Sequence, residues 1–259
     1  MTTATLDIDA LSTGYRLRGG TRRVGCNLSA RLMEGTLTAL IGVNGCGKST
    51  LLRTLAGFLS PLGGHIRYGG TDIGALTARQ LARRLSIVLT EKPDTAFLSV
   101  RDVVETGRYA FTGITVHLSA EDHDIVEKAL DQTGTTALAG RRLASLSDGE
   151  RQRVMIAKAL TQQTPVILLD EPTAFLDFPG KADILRLLAR LAHEERKTIL
   201  LATHDLELTF RVADALWLLS PDGIRSGSPR ELAADGTLEE RFAGQGLRFD
   251  AASLAFTLT

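Results

Sequence analysis

Leu40-Ile41-Gly42-Val43-Asn44-Gly45-Cys46-Gly47-Lys48-Ser49-Thr50-Leu51-Leu52 is the stretch that decides how this chain is read. Gly42, Gly47, Lys48 and Ser49 fill the G-x-x-x-x-G-K-[ST] pattern of a phosphate-binding loop. Thr38 to Ile41 is short, apolar and β-compatible, and supplies the strand such a loop follows. Leu51, Leu52, Leu55 and Leu59 recur at helical spacing and supply the helix it opens. Gly42, Gly45 and Gly47 let the backbone curl so that successive N–H groups face an anion. The positive end of the helix beginning near Lys48 points at the same place. Lys48 is placed to reach β- and γ-phosphates, and the Ser49 hydroxyl to take one position on Mg²⁺. Chance produces the bare pattern in roughly one such chain per hundred, and the flanking strand and helix lower that further. A nucleoside triphosphate site is implied.

The rest of the composition limits what surrounds that site. A chain of 259 residues can bury a large core, and its 30 basic residues balance 30 acidic ones. No global field therefore favours nucleic acid or an anionic membrane. No apolar run approaches a membrane span and no basic-then-apolar leader opens the chain, so a cytoplasmic protein is expected, with any membrane role exerted through a partner. Cys26 and Cys46 have no metal-ligand spacing and suggest no disulfide framework.

Outward from the loop, Leu6 to Leu11 alternates and reads as an edge strand, followed by a basic, Gly-containing loop from Arg16 to Arg23. Tyr15 suits an ordinary core or surface aromatic, and equally the stacking of a base. Val24 to Met33 reads as a strand, His65 to Tyr68 and Thr71 to Ile73 as a short β-region, and Leu85 to Leu89 as a buried strand. From residue 91 to about 150 the pattern turns helical, with Val100 to Gly107 and Glu121 to Thr133 in helical period. This is expected to be a helical subdomain inserted in an α/β core, with His117 and His123 as surface histidines. Strands at Pro165 to Leu169, Thr198 to Ala202 and Ala215 to Leu219 then alternate with helices, which implies a mainly parallel sheet covered on both faces. Residues 221–259 read as Gly-rich turns and a tail.

Val166-Ile167-Leu168-Leu169-Asp170-Glu171 is an apolar strand that delivers two carboxylates at the sheet end where open parallel sheets bind ligands. Asp170 suits a contact to Mg²⁺, and Glu171 suits orienting or deprotonating an attacking water. Leu146-Ser147-Asp148-Gly149-Glu150-Arg151-Gln152 begins a helix with the S-x-x-E spacing of a capping box. A capped helix start beside Gly149 is also a second anion site, one more than a single phosphate loop needs. That excess points to a composite site shared by two chains. His204, after the Thr198 to Ala202 strand, falls at the same sheet end as Glu171.

Together these motifs resemble the nucleotide-binding subunit of an ABC transporter, from about Leu6 to Leu219. The resemblance implies an ABC ATPase fold: a P-loop core with mainly parallel sheet, an N-terminal antiparallel β-region and an inserted helical subdomain. It implies ATP and Mg²⁺ as ligands. Tyr15 matches the aromatic that stacks on adenine. Gly42, Asn44, Gly45, Cys46, Gly47, Lys48, Ser49 and Thr50 match the Walker A contacts, with Ser49, Glu91 and Asp170 on the metal. Ser147, Gly149 and Glu150 match the signature that meets the ATP of the opposite subunit, and Asp177 the D-loop. Glu171, His204 and Lys48 take the catalytic roles. Leu98 to Arg108 further resembles subunits that import iron-siderophores, haem or cobalamin. The partners implied are a second copy of this chain, integral membrane permease subunits and, indirectly, a substrate-binding protein, at the cytoplasmic face of the membrane. Two departures stand out: Glu91 occupies the place of the Q-loop glutamine, and Ser147-Asp148-Gly149-Glu150 replaces the usual Ser-Gly-Gly-Gln. The competing expectations are a soluble ABC ATPase acting on nucleic acid or ribosomes, against which the absence of long heptads and of a second cassette counts, and an exporter subunit.

Overall fold

The two longest strands are β1 (Ala4–Leu17) and β2 (Gly20–Met33), an antiparallel hairpin that turns at Arg18-Gly19. The computed structural model describes residues 4–90, 97–112, 117–220, 223–242 and 247–258. The basic stretch read as a loop is the paired end of this hairpin, with Arg16 opposite Thr21 and Leu17 opposite Gly20. Its polarity hid the strand, because neither face of this end is buried and so no apolar alternation appears. After β3 (Leu37–Ile41) and α1 (Lys48–Leu55) come β4 (Gly63–Tyr68) and β5 (Thr71–Asp72), which complete a four-stranded sheet in the order β2-β1-β4-β5. β1 is therefore an interior strand and not an edge. Its alternating residues Leu6 and Ile8 are buried and lie over α1 with Leu51, Leu52 and Leu55.

α2 (Ala78–Leu81) and β6 (Leu85–Val88) lead to the helical segment: α3 (Val100–Glu105), α4 (Tyr109–Thr112), α5 (Ala120–Gln132) and then α6 (Asp148–Thr161). α3, α5 and α6 pack through Val100, Val104, Val126, Leu130, Val154 and Ala157, all buried. The guanidinium of Arg108, itself buried, ties this helical segment together. It donates to Asp122 Oδ1 at 2.7 Å, to Thr161 O at 2.8 Å and to Gln163 Oε1 at 2.9 Å.

The remaining core strands are β7 (Val166–Asp170), β8 (Thr198–Ala202) and β9 (Ala215–Ser220), with α7 (Phe178–His193) and α8 (Leu206–Phe210) between them. β10 (Gly223–Gly227) adds an antiparallel edge, giving the order β10-β9-β3-β8-β7-β6. Every residue of β3, β7 and β8 is buried, as expected of strands covered on both faces. Leu40 pairs with Ala202, and Ala202 pairs with Asp170. The C-terminal ends of β3, β8 and β7 therefore lie level, side by side.

The region read as turns and a tail carries α9 (Pro229–Ala234), α10 (Thr237–Phe242), β11 (Leu247–Asp250) and β12 (Ala255–Leu258). Leu232, Leu238 and Phe249 are buried with Phe210 in one cluster. Each element is too short to show a period, so the sequence betrayed none of them. Among the described residues no helix is long and apolar enough to cross a membrane.

Candidate active site

The backbone between β3 and α1 wraps tightly because its glycines permit it. Gly47 sits at φ +104°, and a Cβ there would stand 2.5 Å from Val24 Cγ1 on β2. Only glycine lets the hairpin lie this close to the loop. Lys48, 6% exposed, folds back so that its Nζ donates to Gly42 O at 3.0 Å. Asn44, Gly45 and Ser49 are exposed, and Gly45 and Ser49 face a cavity beside the loop. The Cys46 side chain is buried and directed toward Gly42, so this residue can offer a ligand only its backbone.

The level strand ends bring the acidic residues to this loop. Ser49 Oγ donates to Asp170 Oδ1 at 3.2 Å, and Thr90 Oγ1 donates to Asp170 O at 2.8 Å. Burial pushes the Asp170 carboxyl above its ordinary range, against the pull of Ser49 and of Arg53 and Lys48. A buried carboxylate beside a hydroxyl, with too little positive charge to hold it down, fits a hard cation that takes oxygen ligands. Ser49 and Asp170 are thus suited to hold Mg²⁺.

Glu171 turns out of β7 at φ +51°, an uncommon conformation for a residue with a side chain. Its N–H donates to Ala202 O at 2.9 Å, and Oε1 lies 3.0 Å from His204 Nε2. Burial raises the Glu171 carboxyl to about 7, opposed chiefly by Lys48. Burial and the Lys48 charge both push His204 below its ordinary value. His204 is in turn placed by its neighbour Asp205, which accepts a short hydrogen bond from Thr173 Oγ1 and one of 2.6 Å from Lys181 Nζ. Thr90, Thr173, Lys181 and Asp205 are supports that no motif singled out. The one available signal was that Asp205 adjoins His204.

This cavity, of about 490 Å³, is lined by Lys48, Ser49, Thr50, Glu171 and His204 and, from the hairpin, by Tyr15 and Arg22. Tyr15 Oη lies 3.2 Å from Thr50 Oγ1. Tyr15 is therefore at the cavity, as its base-stacking reading requires. Ser147, Gly149 and Glu150 do not line it among the described residues. They form the capping box at the start of α6: Glu150 N–H donates to Ser147 Oγ at 3.3 Å, and Ser147 N–H to Glu150 Oε2 at 2.9 Å. Asp148 is drawn along the helix to Arg151, at 2.7 Å. Asp177 caps α7, accepting from Gly180 N–H at 3.0 Å. Glu91 lies outside the described residues.

The ABC transporter family model matches residues 26–174, which run from β2 across the phosphate loop and α6 to just past Glu171. The chain belongs to the ABC transporter family. It is an ATP-binding, ATP-hydrolysing subunit of that family and resembles the iron-siderophore importer group. It is 40% identical over 218 residues to the achromobactin transport ATP-binding protein CbrD of Dickeya dadantii, covering 83% of this chain and 81% of that one. It is 36% identical over 241 residues to the ferric enterobactin transport ATP-binding protein FepC of Escherichia coli, covering 93% and 86%. Among solved structures it is similar to cbiO1 from Clostridium perfringens, part of the ABC transporter complex cbiONQ. That match has a TM-score of 0.78, 29% identity, and covers 92% of this chain and 96% of the other. The α/β cassette anticipated from the ABC transporter resemblance is the fold observed.

Proposed function

We propose that this subunit powers uptake of an iron-siderophore-type cargo, working as a head-to-tail dimer that sandwiches two ATP molecules. The achromobactin and enterobactin relatives support the cargo class. One observation carries the mechanism: Lys48, Ser49, Glu171 and His204 line one cavity, with Glu171 Oε1 3.0 Å from His204 Nε2. The γ-phosphate is placed there, with Lys48 opposing its charge. Glu171, in its ionised form, accepts a proton as water forms its bond to γ-phosphorus and the bond to the β-bridging oxygen breaks, releasing ADP. His204 holds the Glu171 carboxyl and the γ-phosphate oxygens in register. Mg²⁺, held by Ser49 and Asp170, supplies neutralisation of the phosphate charge. Glu91 is proposed as a further oxygen ligand. Ser147 and Gly149 at the capped start of α6 complete the site of the partner copy, with Glu150 supporting the helix start and Asp177 at the dimer face.

The same reading assigns residues 91–150, together with the end of α1, to a permease helix. Outside that range, an open cleft of about 630 Å³ lies between the turn after α1, α2 and α6, lined by Phe58, Leu76 and Leu81 and by Lys158 and Gln162 of α6. Phe58 and, within the insert, Phe97 and Tyr109 are exposed apolar side chains. Indirect contact with a substrate-binding protein and a place at the cytoplasmic face of the membrane follow from the permease. The deciding experiment is light scattering of Glu171→Gln with Mg-ATP. The expected species is a closed dimer, and a monomer at saturating ATP removes the composite site. Co-purification of the permease from mild detergent, followed by uptake assays with ferric siderophores, tests the cargo class.

A further inference from the structure

The β1–β2 hairpin presents four arginines, Arg16, Arg18, Arg22 and Arg23, all exposed, and none forms an ion pair among the described residues. Arg22 differs from the other three by where its side chain goes. It is directly opposite Tyr15 in the hairpin register, so the two side chains leave the same face next to one another. Both line the ATP cavity. We propose that Arg22 is a second phosphate-holding cation of the ATP site, gripping the phosphate nearest the ribose.

Three observations place it there. Gly14, at φ +154°, brings β1 so near β2 that a Cβ on it would stand 2.1 Å from Arg22 O and 3.0 Å from Arg23 Cα. The backbone of Arg22 is thereby pinned beside Tyr15. Val24, two residues further along β2, packs on Gly47, so the hairpin wall touches the phosphate loop. Arg22 is one pleat repeat beyond that contact, about 7 Å along the strand, a span an arginine side chain can cover. Finally, the cavity's other lysine or arginine, Lys48, is turned back onto the loop, with its Nζ on Gly42 O at 3.0 Å. A triphosphate carries charge along its whole length. With β- and γ-phosphates at Lys48, the remaining phosphate falls on the Tyr15 side, where Arg22 is the lining cation. Its guanidinium has no carboxylate to give up, and charge-assisted bonds to phosphate are its strongest available contacts.

The inference rests on the orientation of ATP proposed above, with β- and γ-phosphates at Lys48. Lys48→Ala tests that orientation separately: unchanged ATP affinity in that variant overturns the orientation itself, whatever Arg22 does. For Arg22, titration calorimetry at low salt should show ATP and ADP bound about fivefold more weakly by Arg22→Ala than by wild type, since this partly solvated contact is worth less than a buried one. The gap should narrow as salt is raised, because exposed charges are screened. Arg22→Lys should recover most of the loss. Adenosine, measured by competition, should bind wild type and Arg22→Ala alike. Affinities for ATP and ADP within twofold of wild type overturn the assignment. So does an equal loss for adenosine, which would make Arg22 a stacking group for the base, or a lysine variant as weak as alanine.

Discussion

Glu171 Oε1 and His204 Nε2 stand 3.0 Å apart, each just beyond the C-terminal end of one of two neighbouring parallel strands. Burial raises the carboxyl from 4.5 to about 7 and lowers the imidazole from its ordinary 6.5, so the usual order of the two groups is reversed. Lys48 acts on both, favouring the ionised carboxylate and the neutral ring.

The first prediction is a pH profile. With Glu171 at about 7 in the nucleotide-free protein, kcat/KM for ATP should rise with pH through that value as the base ionises. Glu171→Gln should lower turnover by at least about 10²-fold and retain ATP binding. A kcat/KM that is flat from mildly acid to mildly alkaline pH would show that Glu171 is already ionised there.

A stability measurement reads the same group from the other side. Its folded value lies above the ordinary 4.5, so the folded state holds the proton more tightly than the unfolded chain. The stabilisation is present below 4.5 and is lost as pH rises to about 7. Glu171→Gln should thus melt higher than wild type at alkaline pH, by about 2–4 °C once solvent screening of this half-buried group is allowed for. The two proteins should converge in acid. Differential scanning calorimetry across pH checks it, and a lower Tm for the variant at alkaline pH contradicts the buried-charge account.

Metal dependence follows from the Ser49–Asp170 contact of 3.2 Å. Asp170→Asn removes a carboxylate that burial disfavours, so the nucleotide-free variant should be no less stable than wild type. The additional thermal shift that Mg²⁺ confers in the presence of ATP should vanish. Ser49→Ala should raise the Mg²⁺ midpoint by about tenfold. If Mg²⁺ titrations of ATP-dependent melting are superimposable for all three proteins, these residues do not hold the metal.

The helical segment should depend on one buried ion pair. Arg108 and Asp122 meet at 2.7 Å with little exposure of either side chain. Burial alone would raise the Asp122 carboxyl, but bonds from Ser119 and Arg108 outweigh it and hold the value below 3.8. Its contribution is therefore present at neutral pH and lost only as pH falls through that depressed value. Arg108→Ala strands the carboxylate and should cost about 3 kcal/mol, seen in denaturant titration. A loss under about 1 kcal/mol would mean that the segment relaxes around the missing guanidinium.

At the C-terminal end, Phe249 packs edge-on to Phe210 at 6.1 Å between ring centres and lies 5.1 Å from Phe256. Phe249→Ala should destabilise the cassette by about 3 kcal/mol. Removing residues 247–258 should have a comparable effect, because β9 and α8 share that cluster. Unchanged melting of the truncated chain would show that this extension is an independent appendage.

Local pattern alone was sufficient for the phosphate loop, for the five parallel strands and for the order of strands and helices around them. Each of those features is written in contiguous residues: glycines that curl a turn, an unbroken apolar run for a strand buried on both faces, Ser147 three residues before Glu150 for a capped helix. The carboxylates Asp170 and Glu171 and the imidazole of His204 were legible as candidates because each follows such a run. Their meeting was decided by the sheet. Strand order places β8 between β3 and β7, and the register Leu40–Ala202–Asp170 levels their ends. The hairpin arginines, the Arg108 network and the C-terminal cluster were illegible for the converse reason. Their partners are far apart in the chain or sit on elements too short to carry a period, and no local pattern records a contact that only long-range packing creates. That β1 lies inside its sheet was settled the same way, by β4 pairing along its free side. Arg22 shows the difference most directly: in sequence it is one of four arginines in a basic stretch, and only the closeness that Gly14 allows sets it beside Tyr15 at the mouth of the ATP cavity.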